Sequence, residues 1–390
     1  MSEELAYAII TPYSLHKSRT GGIIARLISR SGVELVGARM FAPSGQLVRE
    51  YAEQIVSADD PQDRQVQELI REYVTRNFVP EPRSQRRRRV MMLLFRGENA
   101  VRKLRAVVGN FSPHRRGGET IRDTYGDLII DENEQVHYFE PAVLAAPTPA
   151  EAESKLKLWA RYSDSDGGVL ENVIGYGAGE KPERTLVLLK PDNFKFASGR
   201  PGNMIDFFSR TGLFIVGIKV HRMSVAQAME FYGPVRETLR TVLKDRVAAR
   251  AKFILEGEFG LTIPAQEQKQ LGELLGPLYG ESQFDSIVRF MSGSSPKECE
   301  PSKLTEPGSE KCIALVYEGV NAVAKIGAVL GPTDPSQAPP GSIRREFGAN
   351  VMVNAAHASD SVENAQREMG IVDVGENLFR RTVEEFYGSV

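Results

Sequence analysis

The stretch SRTGLFIVG at residues 209–217 repeats the stretch SRSGVELVG at residues 29–37, at an offset of 180 residues. A second pair, YEGVNAV at 317–323 and FRGENAV at 95–101, is offset by 222 residues. Two echoes in the same order indicate that one domain occurs twice in the chain. The second copy is therefore 42 residues longer between its echoes, which predicts a helical insertion at about 235–283.

The length of the chain also fits two domains, because 390 residues exceed the size of one ordinary hydrophobic core. Two glycine-rich stretches, DGG at 166–168 and GYGAG at 175–179, suit an exposed connection. We predict a first domain at 1–165, a linker at 166–182 and a second domain at 183–390.

The pattern of apolar residues predicts alternating strands and helices in the second copy. Short apolar runs at 186–189 and 313–317 indicate strands, and the spacing at 204–208 and 322–330 indicates helices. Residues 350–354 are predicted to form a strand that runs into a loop carrying His357. This order is typical of an α/β fold with an antiparallel or mixed sheet.

Composition gives little direct guidance to function. The formal net charge is -2, so no global attraction to nucleic acid or to a membrane surface is expected. No apolar stretch approaches the roughly 20 residues of a membrane span. The acidic start and the presence of two cysteines indicate a cytoplasmic, reducing setting. The basic run Arg86–Arg89 is interpreted as a solvated strand edge in preference to a phosphate-binding patch.

The segment NAAHASDS at 354–361 carries the most chemical information. A neutral imidazole is a competent nucleophile at cellular pH and can carry a phosphoryl group. Asp360 or Ser361 can cap the following helix, whose N-terminal amides then lie near a phosphate-bearing loop. Glu368, about two turns along, can orient the imidazole. Lys190 and Arg344 are candidate cations for the phosphate oxygens.

This segment resembles the active-site signature of the nucleoside diphosphate kinase family: Asn, two free positions, His, a small residue, Ser, Asp and a small residue. The resemblance extends to ERT at 183–185, KPD at 190–192, YEG at 317–319 and PGSIR at 340–344, and it covers most of residues 183–370. It implies an α/β fold (an α+β sandwich) of two tandem ferredoxin-like βαββαβ domains. Each would have an antiparallel four-stranded sheet covered by helices.

The resemblance also implies an activity and a set of site residues. A phosphate would pass from a nucleoside triphosphate, usually ATP, through His357 to a nucleoside diphosphate. Mg²⁺ would be held mainly by the nucleotide phosphates, with Asp360 as a candidate ligand. Family members assemble, so a homo-oligomer built on an internal pseudo-dimer of the two copies is expected. The implied catalytic residues are His357, Glu368, Lys190 and Ser359, and the implied nucleotide contacts are Lys190, Tyr232, Phe284, Thr333, Arg344 and Asn354.

The sequence departs from the family pattern in both copies. In the second copy, an expected arginine falls on Gly327 and an expected aromatic residue falls on Gln283. In the first copy, Thr11 corresponds to Lys190, and FEPAVLAAP at 139–147 corresponds to the histidine segment. The first copy keeps two arginines, Arg105 and Arg122. We therefore predict that only the second copy is catalytic.

Two other functions stay open at this level. The departures favour a nucleotide-binding regulatory protein of the same fold, and the insertion is compatible with a phosphohistidine carrier whose acceptor is another protein. Other histidines and cysteines lie outside any such motif and are interpreted as structural: His16, His114, His137, His221, Cys299 and Cys312.

Overall fold

The computed structural model describes residues 3–58, 60, 62–111, 118–133 and 135–390. Contacts between residues divide the chain into two compact units. The first comprises Met1–Val220 and Ile313–Val390, and the second comprises His221–Cys312. His114 lies outside the described residues.

The first copy of the repeated domain occupies the N-terminal part of the first unit. Its elements are β1 (Glu3–Ile10), α1 (Pro12–His16), α2 (Thr20–Arg30), β2 (Glu34–Phe41), α3 (Gly45–Glu53), α4 (Arg64–Asn77), β3 (Val90–Glu98), α5 (Ala100–Val108), α6 (Ile121–Tyr125), β4 (Asp127–Ile130), β5 (Val136–Glu140), β6 (Val143–Ala145) and α7 (Pro149–Arg161).

The second copy follows a similar order, but it has four helices between its second and third strands where the first copy has two, it lacks the β4–β5 hairpin within the described residues, and it ends in an additional helix. Its elements are β7 (Pro182–Leu189), α8 (Arg200–Ser209), β8 (Phe214–His221), α9 (Val225–Phe231), α10 (Gly233–Val242), α11 (Lys244–Phe259), α12 (Ala265–Ser292), β9 (Cys312–Val320), α13 (Ala322–Leu330), α14 (Ile343–Phe347), β10 (Ala356–Ala358), α15 (Val362–Val372) and α16 (Leu378–Tyr387).

Each copy is built on a four-stranded sheet, ordered β2-β3-β1-β6 in the first and β10-β7-β9-β8 in the second. The central strands β1 and β3 pair antiparallel, and so do their counterparts β7 and β9. Their residues are almost wholly buried because helices cover them. The predicted tandem ferredoxin-like α/β fold with antiparallel sheets is confirmed.

The two copies use the same backbone devices at corresponding positions. Asn99 and Asn321 precede α5 and α13 with φ of 52° and 56°, and Gly109 and Gly331 end those helices with φ of 87° and 84°. Asparagine and glycine are the residues that adopt left-handed backbone at least cost. The shared turns explain why the short echo ending in Asn-Ala-Val is kept in both copies.

The two copies contact each other inside the first unit. Helices α2 and α8 pack together at two glycines, where a Cβ on Gly202 would lie 2.2 Å from the carbonyl oxygen of Gly21. The connecting segment also touches both sheets, because Gly167 bridges to Phe41 and the amide of Leu170 donates to the carbonyl of Val216. Glycine at the crossing allows the two backbones to approach this closely.

The C-terminal helix α16 packs on the first copy. The ring of Phe379 meets the edge of Phe41 at 5.4 Å, and the hydroxyl of Tyr387 donates to the carbonyl of Leu5 at 3.0 Å. The buried guanidinium of Arg39 donates to the carbonyl of Glu376 at 3.0 Å. The end of the second copy therefore stabilises the first.

The second unit consists mainly of helices. Helices α10 and α11 both pack along α12, whose glycines at positions 272, 276 and 280 allow close approach. These three helices span the insertion expected at about 235–283. Across the described residues, no helix is long and apolar enough to cross a membrane.

Two local expectations from the sequence are wrong. Residues 350–354 form bends, not a strand, because the side chain of Asn350 accepts hydrogen bonds from the amides of Met352 and Val353. The strand begins only at Ala356 and carries His357 itself. Residues 86–89 precede β3 and do not form a strand edge.

The close crossing of α2 and α8 leads to a stability prediction. The variant Gly202→Ala should lose roughly 1–3 kcal/mol of stability, because the added methyl group overlaps backbone atoms. We expect Tm, followed by circular dichroism, to fall by several degrees. The control is Gly199→Ala, whose Cβ would make only ordinary van der Waals contacts, at 3.5 Å with Ala25 and 3.7 Å with Asn203. Equal Tm values for the two variants would contradict the account of this crossing.

Candidate active site

His357 lies on the three-residue strand β10, which pairs antiparallel with β7 so that His357 is opposite Leu188. Its Nε2 is 2.9 Å from Oε2 of Glu368 on α15. The hydroxyl of Ser359 donates to the same carboxylate oxygen at 2.6 Å. The side chain of Glu368 is 6% exposed, whereas that of His357 is 23% exposed. A buried carboxylate therefore holds one nitrogen of a partly accessible imidazole.

The segment after His357 ends in a helix cap. The Oγ of Ser361 accepts a hydrogen bond from the amide of Asn364 at 3.0 Å, which starts α15. Asp360 is exposed, and its carboxylate accepts from the side chain of Asn364 at 2.6 Å. Ser361 is thus the cap, and Glu368 falls two turns later on the face that points back to His357.

Lys190 lies at the end of β7 and is buried, with 7% of its surface exposed. Its Nζ donates to the carbonyl of Met352 at 2.6 Å and to Oδ1 of Asn354 at 2.9 Å. Burial lowers the pKa of Lys190 to about 8; nearby Asp192 opposes this shift and Arg344 reinforces it. Desolvation disfavours the charged form of a lysine. The hydrogen bonds to Met352 and Asn354 therefore hold an ammonium group whose charge is destabilised by burial.

Arg344 and Asn354 connect the remaining loops around His357. Arg344 on α14 donates to the carbonyl of Gly331 at 2.9 Å and to that of Ala356, next to His357, at 3.2 Å. The amide of Asn354 donates to the carbonyl of Thr333 at 3.0 Å. The structure therefore gathers these residues around one short strand, as the sequence predicted: His357, Ser359, Glu368, Lys190, Arg344, Asn354 and Thr333.

Sequence reasoning missed Asn193, which supports the turn before His357. Ala355 has a left-handed φ of 71°, a conformation that costs a residue with a Cβ about 1–2 kcal/mol. The Nδ2 of Asn193 donates to the carbonyl of Ala355 at 2.7 Å, and the amide of Lys190 donates to it at 3.0 Å. Arg200 in turn donates to Oδ1 of Asn193 at 3.2 Å. The only sequence signal was the position of Asn193 directly after Lys-Pro-Asp.

The first copy keeps this turn but loses the reacting side chains. Ala142 has φ of 57°, and its carbonyl accepts from the amide of Thr11 at 3.2 Å. Leu144 pairs with Ile9 as His357 pairs with Leu188, so leucine stands where the histidine would be. Lys155 is seven residues after the cap Thr148, as Glu368 is after Ser361. The imidazole and the carboxylate are therefore both absent.

Arg122 in the first copy repeats the contacts of Arg344. It donates to the carbonyl of Gly109 at 2.8 Å and to that of Val143 at 3.2 Å. Its guanidinium also lies 4.0 Å from the ring centre of Phe111. Burial lowers the pKa of Arg122 to about 9, with Arg105 as a smaller cause. This arginine has a structural role in tying the loop to the edge strand.

Tyr232 and Phe284 belong to the second unit. Tyr232 follows α9 and is 8% exposed, and Phe284 on α12 is 1% exposed. Arg236 lies over the ring of Phe284 at 5.1 Å and pairs with Glu281. Gln283, next to Phe284, is half-buried. Their role at the site stays a prediction.

Gly327 on α13 occupies the position of the missing arginine. A Cβ at this position would meet no atom within 4 Å among the neighbours described. Steric crowding therefore does not account for the glycine, and nothing else in the structure explains it.

The chain matches a protein-family model described as nucleoside diphosphate kinase over residues 4–161 and 265–373, which together are more than half of the chain. It is 29% identical over 190 residues to the nucleoside diphosphate kinase of Staphylothermus marinus, covering 49% of this chain and 92% of that protein. The enzyme of Saccharolobus solfataricus is 30% identical over 189 residues, with 48% of this chain and 93% of that protein covered.

Solved structures of the same family are similar to about half of the chain. The nucleoside diphosphate kinase of Aquifex aeolicus is 28% identical, with a TM-score of 0.32, covering 49% of this chain and 95% of that one. The enzyme of Pyrobaculum aerophilum is 26% identical with the same TM-score of 0.32 and the same coverage.

The environment of Lys190 gives a prediction that needs no substrate. The Cε resonance of Lys190 in ¹³C-lysine-labelled protein should titrate near pH 8, against about 10.4 for an unperturbed lysine. The variant Lys190→Arg assigns the signal. Asp192→Asn should lower the midpoint further, because it removes a carboxylate that favours the ammonium. A midpoint above pH 10 would contradict the burial of this group.

Proposed function

We infer that this chain, which belongs to the nucleoside diphosphate kinase family, moves phosphate between nucleotides through a phosphohistidine on His357. As a member of this family the chain is a phosphotransferase enzyme. The observation that supports the histidine as carrier is its 2.9 Å contact with Glu368, which is itself held by Ser359. The mechanism below follows from that contact.

Glu368 sets the tautomer of the imidazole. A carboxylate accepts a proton, so Nε2 carries the hydrogen and the lone pair lies on Nδ1. Nδ1 attacks the γ-phosphorus, the Nδ1–P bond forms, and the bond from the γ-phosphorus to the β–γ bridging oxygen breaks. The nucleoside diphosphate leaves with that oxygen. A second diphosphate then attacks the phosphohistidine through its terminal oxygen, which restores the imidazole.

Four residues around His357 are proposed to contact the phosphates: Lys190, Arg344, Asn354 and Thr333. Lys190 and Arg344 supply positive charge, and Asn354 links Lys190 to the loop that contains Thr333. Charge spread over the equatorial oxygens in the transition state needs fixed cations more than covalent help. A bound phosphate favours the ammonium form of Lys190, which offsets the effect of burial on its pKa. These four residues are proposed as the phosphate contacts.

The nucleotide is proposed to bring Mg²⁺. The described residues contain no group of three histidine, cysteine, aspartate or glutamate side chains that could hold a metal. Mg²⁺ keeps much of its water and is usually carried on substrate phosphates, and exposed Asp360 is the proposed carboxylate near it. Mg²⁺ supplies neutralisation of phosphate charge when it is bound.

The base and the assembly are proposed on the family resemblance. Phe284 is the candidate for stacking on the base, which would admit every base, and Tyr232 is the candidate nucleotide contact near the catalytic residues. Phe284 is 1% exposed, so stacking requires its ring to become accessible. ATP is proposed as the usual donor in a cytoplasmic setting. A homo-oligomer is proposed from the contact between the two copies.

Gly327 favours a second candidate function. The loss of one charge-assisted contact to a phosphate costs roughly 1.5–3 kcal/mol of binding free energy. A chain without this arginine could therefore act as a nucleotide-binding regulatory protein with impaired catalysis. The intact His357–Glu368–Ser359 arrangement favours the enzyme, because a regulatory protein has no use for a fixed tautomer.

Initial-rate kinetics test the proposed mechanism. With ATP and GDP as substrates, double-reciprocal plots at several fixed GDP concentrations should give parallel lines, because the diphosphate product leaves before the acceptor binds. His357→Ala should reduce the rate at least about a thousandfold, since no other nucleophile replaces the imidazole.

The matched control is His137→Ala, which removes an exposed histidine of the first copy that bonds to Asp131. Its rate should equal that of the wild type. Intersecting lines would contradict a phosphohistidine intermediate. Nucleotide binding without turnover in the wild type would favour the regulatory protein.

A further inference from the structure

A cleft of about 620 Å³ lies in the first unit, away from His357. This volume is within the range of small-molecule sites, roughly 300–1,000 Å³. Its walls come from five parts of the chain: α1, the end of α4 with the residues before β3, β5, the linker and the start of β8. The lining residues that carry the argument are Arg86, Arg88, Tyr13, Tyr73, Tyr138 and Phe139.

The basic run 86–89 forms one wall of this cleft. Among the described residues, neither Arg86 nor Arg88 has a carboxylate partner; Arg88 donates only to the backbone and side-chain oxygens of Asn77, at 3.4 Å. Arg87 differs, because it pairs with Asp166 at 3.1 Å. Two guanidinium groups of this wall therefore have no neutralising carboxylate among the described residues. Each can bind a phosphate.

Arg89 lies deeper in the same wall. It donates to the carbonyl of Ile215 at 2.5 Å, and its guanidinium is 5.2 Å from the ring centre of Phe214. Burial lowers the pKa of Arg89 to about 10, with Tyr176 and Glu318 acting in the opposite direction. It therefore remains charged at neutral pH and adds to the positive potential of the cleft.

Two carboxylates face the cleft, Glu81 and Glu140. Glu140 is buried and already accepts hydrogen bonds from the hydroxyl of Tyr73 at 2.7 Å and from that of Thr11 at 3.0 Å. Burial raises the pKa of Glu140. Glu81 is exposed. Because Arg87 is paired with Asp166, three arginines face these two acids: Arg86, Arg88 and Arg89. The cleft is therefore positive.

Aromatic rings also line the cleft. Tyr73 and Phe139 meet edge to face at 6.2 Å, and Tyr13, Tyr138 and Phe214 complete the lining. Ring faces of this kind stack on nucleobases, at roughly 1–3 kcal/mol per base. Guanidinium groups and aromatic rings in one cleft are the two chemistries that bind a planar, phosphate-bearing molecule.

The linker shapes the cleft around Arg86. A Cβ at position 175 would lie 2.0 Å from Nη1 of Arg86, so glycine there lets the guanidinium lie against the backbone. The corresponding residues before β9, at 308–311, read GSEK and contain a single cation. The arginine wall therefore belongs to the first copy alone.

We propose that the cleft between the 86–89 segment and β5 is a second nucleotide site, which binds a nucleoside di- or triphosphate without transferring its phosphate. The arginines hold the phosphates and the rings hold the base. Leu144 occupies the position of His357 in this copy. The histidine that lines the cleft, His16, is exposed, and among the described residues no carboxylate holds its ring as Glu368 holds His357. A cleft of about 620 Å³ with walls from five segments suits the size of a single nucleotide better than a nucleic acid strand. The retained first copy thereby gains a function in nucleotide sensing.

Photo-crosslinking of the full chain with 8-azidoadenosine 5′-triphosphate tests this site separately from catalysis. Peptides that contain Tyr13 or Tyr138 and Phe139 should carry the label, and excess ADP should protect them. Arg86→Ala combined with Arg88→Ala should weaken this labelling at least about tenfold for each arginine removed. Phosphotransfer from ATP to GDP should be unchanged.

The matched control is Arg83→Ala, an exposed arginine three residues before Arg86 that does not line the cleft. It should leave labelling intact. Absence of label from these peptides in the wild type, or equal labelling of the double variant, would overturn the proposal. Protection by an RNA oligonucleotide at concentrations where ADP has no effect would also overturn it, in favour of nucleic acid. None of these outcomes depends on whether His357 carries phosphate.

Discussion

The pairing of β10 with β7 is the contact on which the site depends. Only three residue pairs form it, and they fix His357 opposite Leu188. Side chains alternate between the two faces of a strand, so a slip of one residue would send the imidazole to the opposite face. Arg344, Lys190 and Asn193 all bind carbonyl groups at Ala355 or Ala356. The guanidinium of Arg344, the backbone amide of Lys190 and the side chain of Asn193 therefore secure the register of the strand that carries His357.

The first copy keeps the backbone contacts of this edge strand but not the side chains that surround His357 in the second copy. Arg122 binds the same two positions that Arg344 binds, and the left-handed alanine is kept at Ala142. The imidazole has become Leu144, and a lysine replaces the glutamate that would orient it. The edge strand thus keeps its backbone contacts without these two side chains, which explains how one copy can lack them and still fold as a partner for the other.

Sequence reasoning succeeded where a residue type is tied to a fixed spacing. The signature at 354–361 identified His357, and the helical period placed Glu368 on the face that reaches it. The repeat identified two copies because both keep the same turns, with Asn99 and Asn321 as their clearest marks. Nearby residues in the sequence determine each of these features, so they can be predicted without knowledge of the fold.

Features that depend on contacts between residues far apart in the sequence could not be predicted. The bend at 350–354 replaces a predicted strand because one asparagine side chain binds two amides. Asn193 supports a turn more than 160 residues away in sequence. The sequence of Arg86–Arg89 predicts a solvated strand edge. In the structure, the linker and β5 form a cleft with this run. Nothing in the local sequence reports these long-range partners.

The phosphoenzyme provides the most direct test of the central claim. Protein incubated with ATP and Mg²⁺, then freed of nucleotide, can be examined by intact mass and by ³¹P NMR. The account predicts one phosphate per chain, on Nδ1 of His357, because Glu368 holds Nε2 and the first copy has Leu144. Two phosphates per chain, phosphate on Nε2, or phosphate on any other residue would contradict it.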